Sequence, residues 1–233
     1  LFLFIEGFIF IFTHLITKWI ITPVSKTFQK QKTFVADASH ELKTPLSVMI
    51  ASADAYFNDK NEKWIVNMKN ESERMIKLVT ELLDLAKTES GQDILMNQNN
   101  LSSIVESSVL TYESLFYEND IKLKYKIDSD IKMVCNENLI VELISILIDN
   151  AINYCDGKKI VIVNLYKNNN QINLEIKNTG SPIKKEDEEK IFERFYKVDS
   201  SRNRNSNHYG LGLSIAKNIV EMHNGEIRAH SKE

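Results

Sequence analysis

His40 and Glu41 lie side by side in the run Phe34-Val-Ala-Asp-Ala-Ser-His-Glu-Leu-Lys-Thr-Pro-Leu46, with Thr44 one helical turn further on and Pro45 behind it. An imidazole with one ring nitrogen held by a carboxylate keeps a free lone pair on the other. The pair therefore has the make-up of a nucleophile, His40, and its base, Glu41. Val35, Ala38, Leu42, Pro45, Met49 and Tyr56 recur at helical spacing, which draws an apolar seam down one helix face and points His40 to water. Pro45 has no N–H for the Glu41 carbonyl, so the helix is predicted to bend just past the histidine. Standing alone, the segment reads more readily as a solvated histidine on a charged helix face.

A second chemical pattern sits in the other half of the chain. Asn150 falls among Leu143, Ile144, Leu147, Ile148 and Ala151. An amide oxygen on an otherwise apolar helix suits a magnesium ion that keeps most of its waters. Gly210 and Gly212 come just before a predicted helix over 213–223, where backbone N–H groups and the positive helix end can meet phosphate oxygens. Taken alone, that glycine pair is more often a simple turn.

These groups need elements to position them. After the first helix, 58–61 reads as a turn, and a second helix carries Ile65, Met68, Ser72, Met75, Val79, Leu82 and Ala86 at heptad spacing. Ile76, Leu78, Leu83 and Leu85 add apolar area that one hairpin cannot cover, which predicts a homodimeric four-helix bundle; packing of that face on the next domain is the other solution. The polar stretch 91–100 reads as a linker. Ser103 with Glu106 makes a capping box for a helix to about 117. A strand is expected over 122–127, a helix over 137–154, a hairpin from 159–166 and 171–178, and a strand over 226–230. The fold class is thus α+β: a helical hairpin followed by a two-layer α/β sandwich.

The composition of the 233 residues, 43% hydrophobic and 26% charged, is ordinary for a globular protein. A net charge of -3 with no polybasic run argues against nucleic acid as a partner. Cys135 and Cys155 have no metal-ligand spacing, and reduced thiols are expected. Residues 1–21 are almost continuously Phe, Ile and Leu, broken by Glu6 and Thr13-His14. They read as the cytoplasmic end of a transmembrane helix whose beginning lies outside the chain, since a full span takes about 20 apolar residues. Lys18, Lys26, Lys30 and Lys32 follow on the inner side, Trp19 suits the interface, and contact with membrane lipid is implied. Residues 22–33 form a short juxtamembrane linker, 34–90 the hairpin and 101–233 the second domain.

The run around His40 closely resembles the H box of the sensor histidine kinases, and four further blocks follow in that family's order. Ile146-Leu-Ile-Asp-Asn-Ala-Ile-Asn-Tyr154 resembles the N box and Asn178-Thr-Gly-Ser-Pro-Ile183 the G1 box. Ile191-Phe-Glu-Arg-Phe-Tyr-Lys197 resembles the F box and Gly210-Leu-Gly-Leu-Ser-Ile-Ala-Lys217 the G2 box. The resemblance covers nearly the whole chain. It implies a protein-histidine kinase of a two-component system in a bacterial cytoplasmic membrane, with its catalytic part in the cytoplasm. Such an enzyme uses ATP and Mg2+ to phosphorylate His40 and passes the phosphoryl group to an aspartate of a cognate response regulator.

Residue by residue, the resemblance implies that Asn150 holds magnesium, that Tyr154, Gly180 and Ile183 line the nucleotide, and that Asn178 reads the adenine amino group where the family normally has aspartate. Lys197 and Arg202 match basic positions near the terminal phosphate, and Gly210, Leu211, Gly212 and Leu213 form the phosphate loop. The polar stretch 198–209 would fold over bound ATP. Thr44 matches the residue that orients water for dephosphorylating the regulator; a solvent-facing helix position is its other reading. Ile146, Asn153 and His208 depart from the family's asparagine, lysine and glycine, and a closing strand is expected beyond 233. These departures keep open an alternative, a degenerate kinase acting as a membrane-bound dimeric scaffold or phosphatase. An ATP-hydrolysing relative of the chaperone type is disfavoured, because its base would stand where Ile146 is.

Overall fold

The computed structural model describes residues 2–89, 94–198 and 209–231 and divides into two compact units, 1–77 and 78–233. Among the described residues the first is helical except at 60–61. Helix α1 (Phe2–Ile16) runs through a π-turn at Thr17–Ile21 into α2 (Thr22–Asp59). Pro23 has no N–H to return along the helix, and the wider i→i+5 turn just before it, closed by Thr22 N–H on Thr17 O, is the local adjustment. Phe2–Trp19 is long and apolar enough to cross a membrane by length and composition.

Helix α2 continues through Pro45 rather than ending there. It stops at Lys60, which adopts the left-handed conformation (φ 54°). The Asp59 carboxylate braces the turn, accepting from the Trp64 indole at 2.8 Å and the Asn61 N–H at 3.0 Å. Those donors, Trp64 foremost, hold the Asp59 carboxyl below its usual range.

Helix α3 (Glu62–Glu89) returns alongside. Pro45 and Ser52 are buried on α2, while Ala38, Leu42, Met49 and Tyr56 are half-buried. Ser52 was absent from the expected seam, and Val35, which was included, is 57% exposed. The Ser72 hydroxyl donates to Met68 O at 2.8 Å and lies 3.2 Å from Met49 Sδ, so the polar seam positions are satisfied locally. Further along α3 the expected seam shifts: Val79 and Ala86 are exposed, whereas Leu78 and Leu85 are buried. The shift falls where α3 passes from the first unit into the second, at Leu78.

In the second unit, β2 (Lys122–Ile127) pairs parallel with β4 (Ile160–Asn168), which pairs antiparallel with β5 (Gln171–Asn178). The β4–β5 turn is made by Asn169 and Asn170, both at positive φ, a conformation asparagine tolerates better than most residues. Val161, Val163 and Leu165 alternate inward. They form the core with Val105 and Val109 of α4 (Leu101–Thr111), Ile144 and Ile148 of α6 (Glu137–Asn153), and Ile219 of α7 (Gly212–Met222), all fully buried. Helices on one face of a sheet give the predicted two layers.

Three expectations need correction. The helix starting at Ser103 begins earlier: the Asn100 carbonyl oxygen of the side chain accepts from Ser103 N–H at 3.3 Å and is the cap, and at Tyr112 the helix gives way to α5 (Glu113–Glu118). The end of the expected linker is a strand, β1 (Asn97–Asn100), antiparallel to β3 (Lys132–Cys135). Its four polar residues carry no strand signature, so the pairing is imposed by the partner. Residues 226–230 join no ladder; the Arg228 guanidinium instead forks onto Glu226 at 2.7 Å, since alternation without a paired edge does not make a strand.

Candidate active site

His40 is exposed on α2, as the seam requires. The Thr44 hydroxyl donates to the His40 carbonyl at 3.2 Å. The expected pairing of His40 with Glu41 is not made: no hydrogen bond joins them, because consecutive helical residues diverge by about 100° around the axis. Glu41 lies half-buried at the seam's edge.

In the second unit, α6 orders the site. Its start is capped by the Asn136 side chain, which accepts from Leu139 N–H at 3.1 Å. The Asn136 N–H donates to His223 Nε2 at 3.1 Å, and His223 Nδ1 lies 2.7 Å from the Ile219 carbonyl. A carbonyl only accepts, so Nδ1 carries the proton and Nε2 is the acceptor. This neutral imidazole joins the end of α7 to the start of α6.

Along α6, Ile146 and Asn150 and, at its cap, Tyr154 fall one turn apart on one face. A Cβ on Gly212 would lie 3.3 Å from Ile146 Cγ2, so this end of the face meets the glycine loop at the start of α7. At the other end, a Cβ on Gly180 would lie 2.2 Å from the Tyr154 carbonyl oxygen, and Asn178 Nδ2 donates to that oxygen at 3.1 Å. Asn150, between them, is half-buried, and its side chain has no hydrogen-bond partner among the described residues. At a rise of 1.5 Å per residue, the eight steps from Ile146 to Tyr154 span about 12 Å. Asn153 is turned away, its amide bonded to Asp149 O in its own helix.

The glycine loop is tied to the F box. Phe195 N–H donates to Gly210 O at 2.9 Å, and both residues have positive φ (61° and 79°). A Cβ at Gly210 would lie 2.8 Å from Tyr196 O, so only glycine fits. The Tyr196 hydroxyl donates to buried Asp187 at 2.6 Å, and that bond, with the carboxylate's charge, pushes the phenol up to about 12. Lys197 lies over the ring of buried Tyr209, 5.9 Å from its centroid. Arg194 pairs with Glu89, and Asn218 Nδ2 donates to Thr88 at 3.4 Å, joining the end of α3 to this side of the domain.

Leu211 is fully buried and Leu213 and Ile183 half-buried, so the leucines support the loop and its backbone faces outward chemistry. Among the described residues no side chain caps α7 at Leu211, so its first-turn N–H groups have no such acceptor there. Arg202 lies outside the described residues, as do Arg204 and His208. Shallow hollows lined by Lys126, Asp128, Asn164 and Tyr166, and by Gln98, Asn100 and Lys132, lie apart from all these groups. Sequence reasoning missed the Tyr154 carbonyl, Tyr209 and the Arg194–Glu89 pair, because main-chain acceptors and long-range pairs leave no local signature.

An amide-bearing helix face with a glycine slot at one end and a glycine loop at the other suits an elongated ligand with a base and a polyphosphate. Residues 30–91 match the His Kinase A (phospho-acceptor) domain, and residues 135–233 the histidine kinase-, DNA gyrase B-, and HSP90-like ATPase family. The sensor protein DltS of Streptococcus agalactiae is 34% identical over 220 residues, covering 94% of this chain and 55% of the relative. The sensor histidine kinase WalK of Bacillus subtilis is 32% identical over 223 residues, covering 91% and 36% respectively. The chain thus spans about half or less of the curated relatives it matches. The fold is shared with histidine kinase ThkA in complex with the response regulator protein TrrA (TM-score 0.75, 18% identity, 90% of this chain and 60% of that one). It is also shared with histidine kinase AdeS of Acinetobacter baumannii (TM-score 0.63, 22% identity, 78% and 86%).

Proposed function

The chain belongs to the sensor histidine kinases, and on that premise we propose that it binds Mg-ATP along the Ile146–Asn150–Tyr154 face, accepts the terminal phosphoryl group on His40 and passes it to an aspartate of a response regulator. The observation that carries the reading is the single α6 face that meets the glycine loop at Ile146 and the G1 turn at Tyr154. In it, Asn178 and Gly180 hold the base, while Gly210, Gly212 and the uncapped start of α7 take the phosphates. Lys197 offers positive charge at the root of the lid. Asn150 would supply the amide oxygen for magnesium, which neutralises phosphate charge when bound; a half-buried amide with no partner among the described residues fits an ion that keeps its other waters.

His40 is the phosphoacceptor: its exposure lets the second unit deliver the phosphoryl group in line. Glu41 acts as base after a rotamer change, since catalytic hydrogen bonds often form only in the loaded complex. Thr44 serves the opposing activity, hydrolysis of the regulator's phosphoaspartate to aspartate and phosphate, by orienting the attacking water. Val35, Leu46, Ile50 and Phe57 on α2, and Ile65, Ile76 and Leu83 on α3, are each at least 45% exposed and would be covered in a homodimeric bundle. Phe2–Trp19 anchors the protein in the membrane.

A second reading, a scaffold or phosphatase without kinase activity, is favoured by one observation: Ile146 puts a hydrocarbon against Gly212, where the resemblance implies an amide. Calorimetric titration with ATP separates the two. The kinase reading predicts saturable binding that magnesium strengthens and Asn150→Ala makes magnesium-independent; absence of nucleotide binding leaves the scaffold.

A further inference from the structure

The outer face of the three-stranded sheet carries charge that the nucleotide site does not use. Val161, Val163 and Leu165 point into the core, so Ile162, Asn164 and Tyr166 between and beyond them point away from it. Register extends the same alternation to both flanking strands. Lys122, Lys124 and Lys126 of β2 lie beside Ile160, Ile162 and Asn164, while Lys177 and Glu175 of β5 lie beside Ile162 and Asn164. Three lysines thus stand in one row along an edge strand, about 6.6 Å apart. All three are exposed, and among the described residues their ammonium groups have no ion-pair or hydrogen-bond partner. Of the two carboxylates nearby, Glu175 is already engaged by Lys177 at 2.7 Å and the Tyr166 hydroxyl at 3.1 Å. The other, Asp128, lies past the end of the row, in the hollow it lines with Lys126 and Tyr166. This face is therefore positive on a chain whose net charge is -3. Two exposed tyrosines border it: Tyr125 on β2, 48% exposed, and Tyr117, 85% exposed, on the helix α5 that leads into β2. Helices α4 and α6 pack on the other side of the sheet, so the face can be covered while the nucleotide face of α6 stays open.

Resting on the membrane reading of Phe2–Trp19 above, we propose that this sheet face docks on an anionic lipid surface, with Lys122, Lys124 and Lys126 meeting headgroup phosphates and Tyr117 and Tyr125 lying at headgroup level. Lipid is the occupant because the chain that carries the face also carries a membrane span, and the two charges are complementary: the cytoplasmic leaflet is negative. A tether of this kind keeps the face near the surface, so an attraction too weak to recruit a free protein suffices. Each lysine brought to such a leaflet gains about fivefold in partitioning, and the row of three about a hundredfold. The gain is electrostatic and disappears at about 1 M salt, where the screening length shrinks to about 3 Å.

The test is lysine acetylation, read by mass spectrometry, on the whole chain in nanodiscs of phosphatidylcholine with and without phosphatidylglycerol. In the anionic discs Lys122, Lys124 and Lys126 should react about fivefold or more slowly than in the neutral ones, and about 1 M salt should restore them. Lys184 and Lys185, exposed but outside this face, should react alike in both. A variant carrying Lys122→Gln, Lys124→Gln and Lys126→Gln should leave Lys177 as reactive in anionic discs as in neutral ones. Equal reactivity of the three wild-type lysines in the two kinds of disc overturns the proposal, as does protection of Lys177 that survives in the triple variant. Protection by single-stranded DNA in neutral discs, with none from anionic lipid, assigns the face to nucleic acid and overturns it too. A chain that does not enter the discs overturns the membrane reading itself. Flotation with phosphatidylglycerol vesicles then decides the face separately: flotation that the triple variant loses supports docking, and flotation absent or unchanged overturns it. Should the variant not fold, the salt dependence of the wild-type pattern decides, since protection that persists in salt is not the charge attraction proposed.

Discussion

Replacing Gly210 by alanine tests how the lid root is built, and Gly157 provides its control. Both glycines have positive φ, 79° and 66°, so a side chain costs about 1–2 kcal/mol of backbone strain at either. At Gly157 nothing lies within 4 Å of the new Cβ. At Gly210 the Cβ would sit 2.8 Å from Tyr196 O and 2.9 Å from Phe195 C, both main chain, so the F-box turn has to move. Overpacking of this kind costs about 1–3 kcal/mol, and disturbing the Phe195 N–H to Gly210 O bond about another 1 kcal/mol. Gly157→Ala is therefore expected to destabilise the second unit by about 1–2 kcal/mol and Gly210→Ala by about 3–6 kcal/mol. Hydrogen exchange of backbone amides in the second unit measures both, and the Phe195 amide should lose more protection than the rest of the unit only in the Gly210 variant. Equal losses in the two variants would refute the argument that the F and G2 boxes are locked through this contact.

Other expectations follow from the same geometry. Burial, and then the charge of Asp84, push the Glu142 carboxyl up. A carboxyl raised in the folded state contributes stability that is present below its unfolded pKa and lost as pH rises through the folded one. Glu142→Gln should thus melt at a higher temperature than wild type at pH 7, and the two should converge below about pH 4. His223→Leu leaves the Asn136 N–H without its acceptor at the start of α6 and should cost about 1–2 kcal/mol in urea unfolding. The exposed Glu89–Arg194 pair should show a coupling of at most about 1 kcal/mol in a double-mutant cycle.

Much of the fold was legible because it follows from local pattern. Lys122–Ile127 and Gln171–Asn178 have the predicted bounds, and α6 and α7 end within one residue of expectation. What escaped was imposed from outside the segment. Asn97–Asn100 is a strand because Lys132–Cys135 offers an edge, and Asn100, not Ser103, caps α4. The buried stripe of α3 moves to Leu78 and Leu85 where the helix passes into the second unit. In the candidate site, the glycine pair and Asn150 could be singled out from residue type and spacing, and the structure sets Gly212 against Ile146 on the helix that carries Asn150. The role of the Tyr154 carbonyl could not be singled out this way, since every residue has one and only the fold selects which is used.

The central claim is that His40 takes the terminal phosphoryl group of ATP. Incubating the whole chain with γ-labelled ATP and magnesium, beside its His40→Gln variant, tests it most directly. The account predicts acid-labile, base-stable label on the wild type, lost in the variant and on chelating magnesium. A variant that labels as well as wild type, or a folded wild type that binds ATP yet never labels, would contradict it.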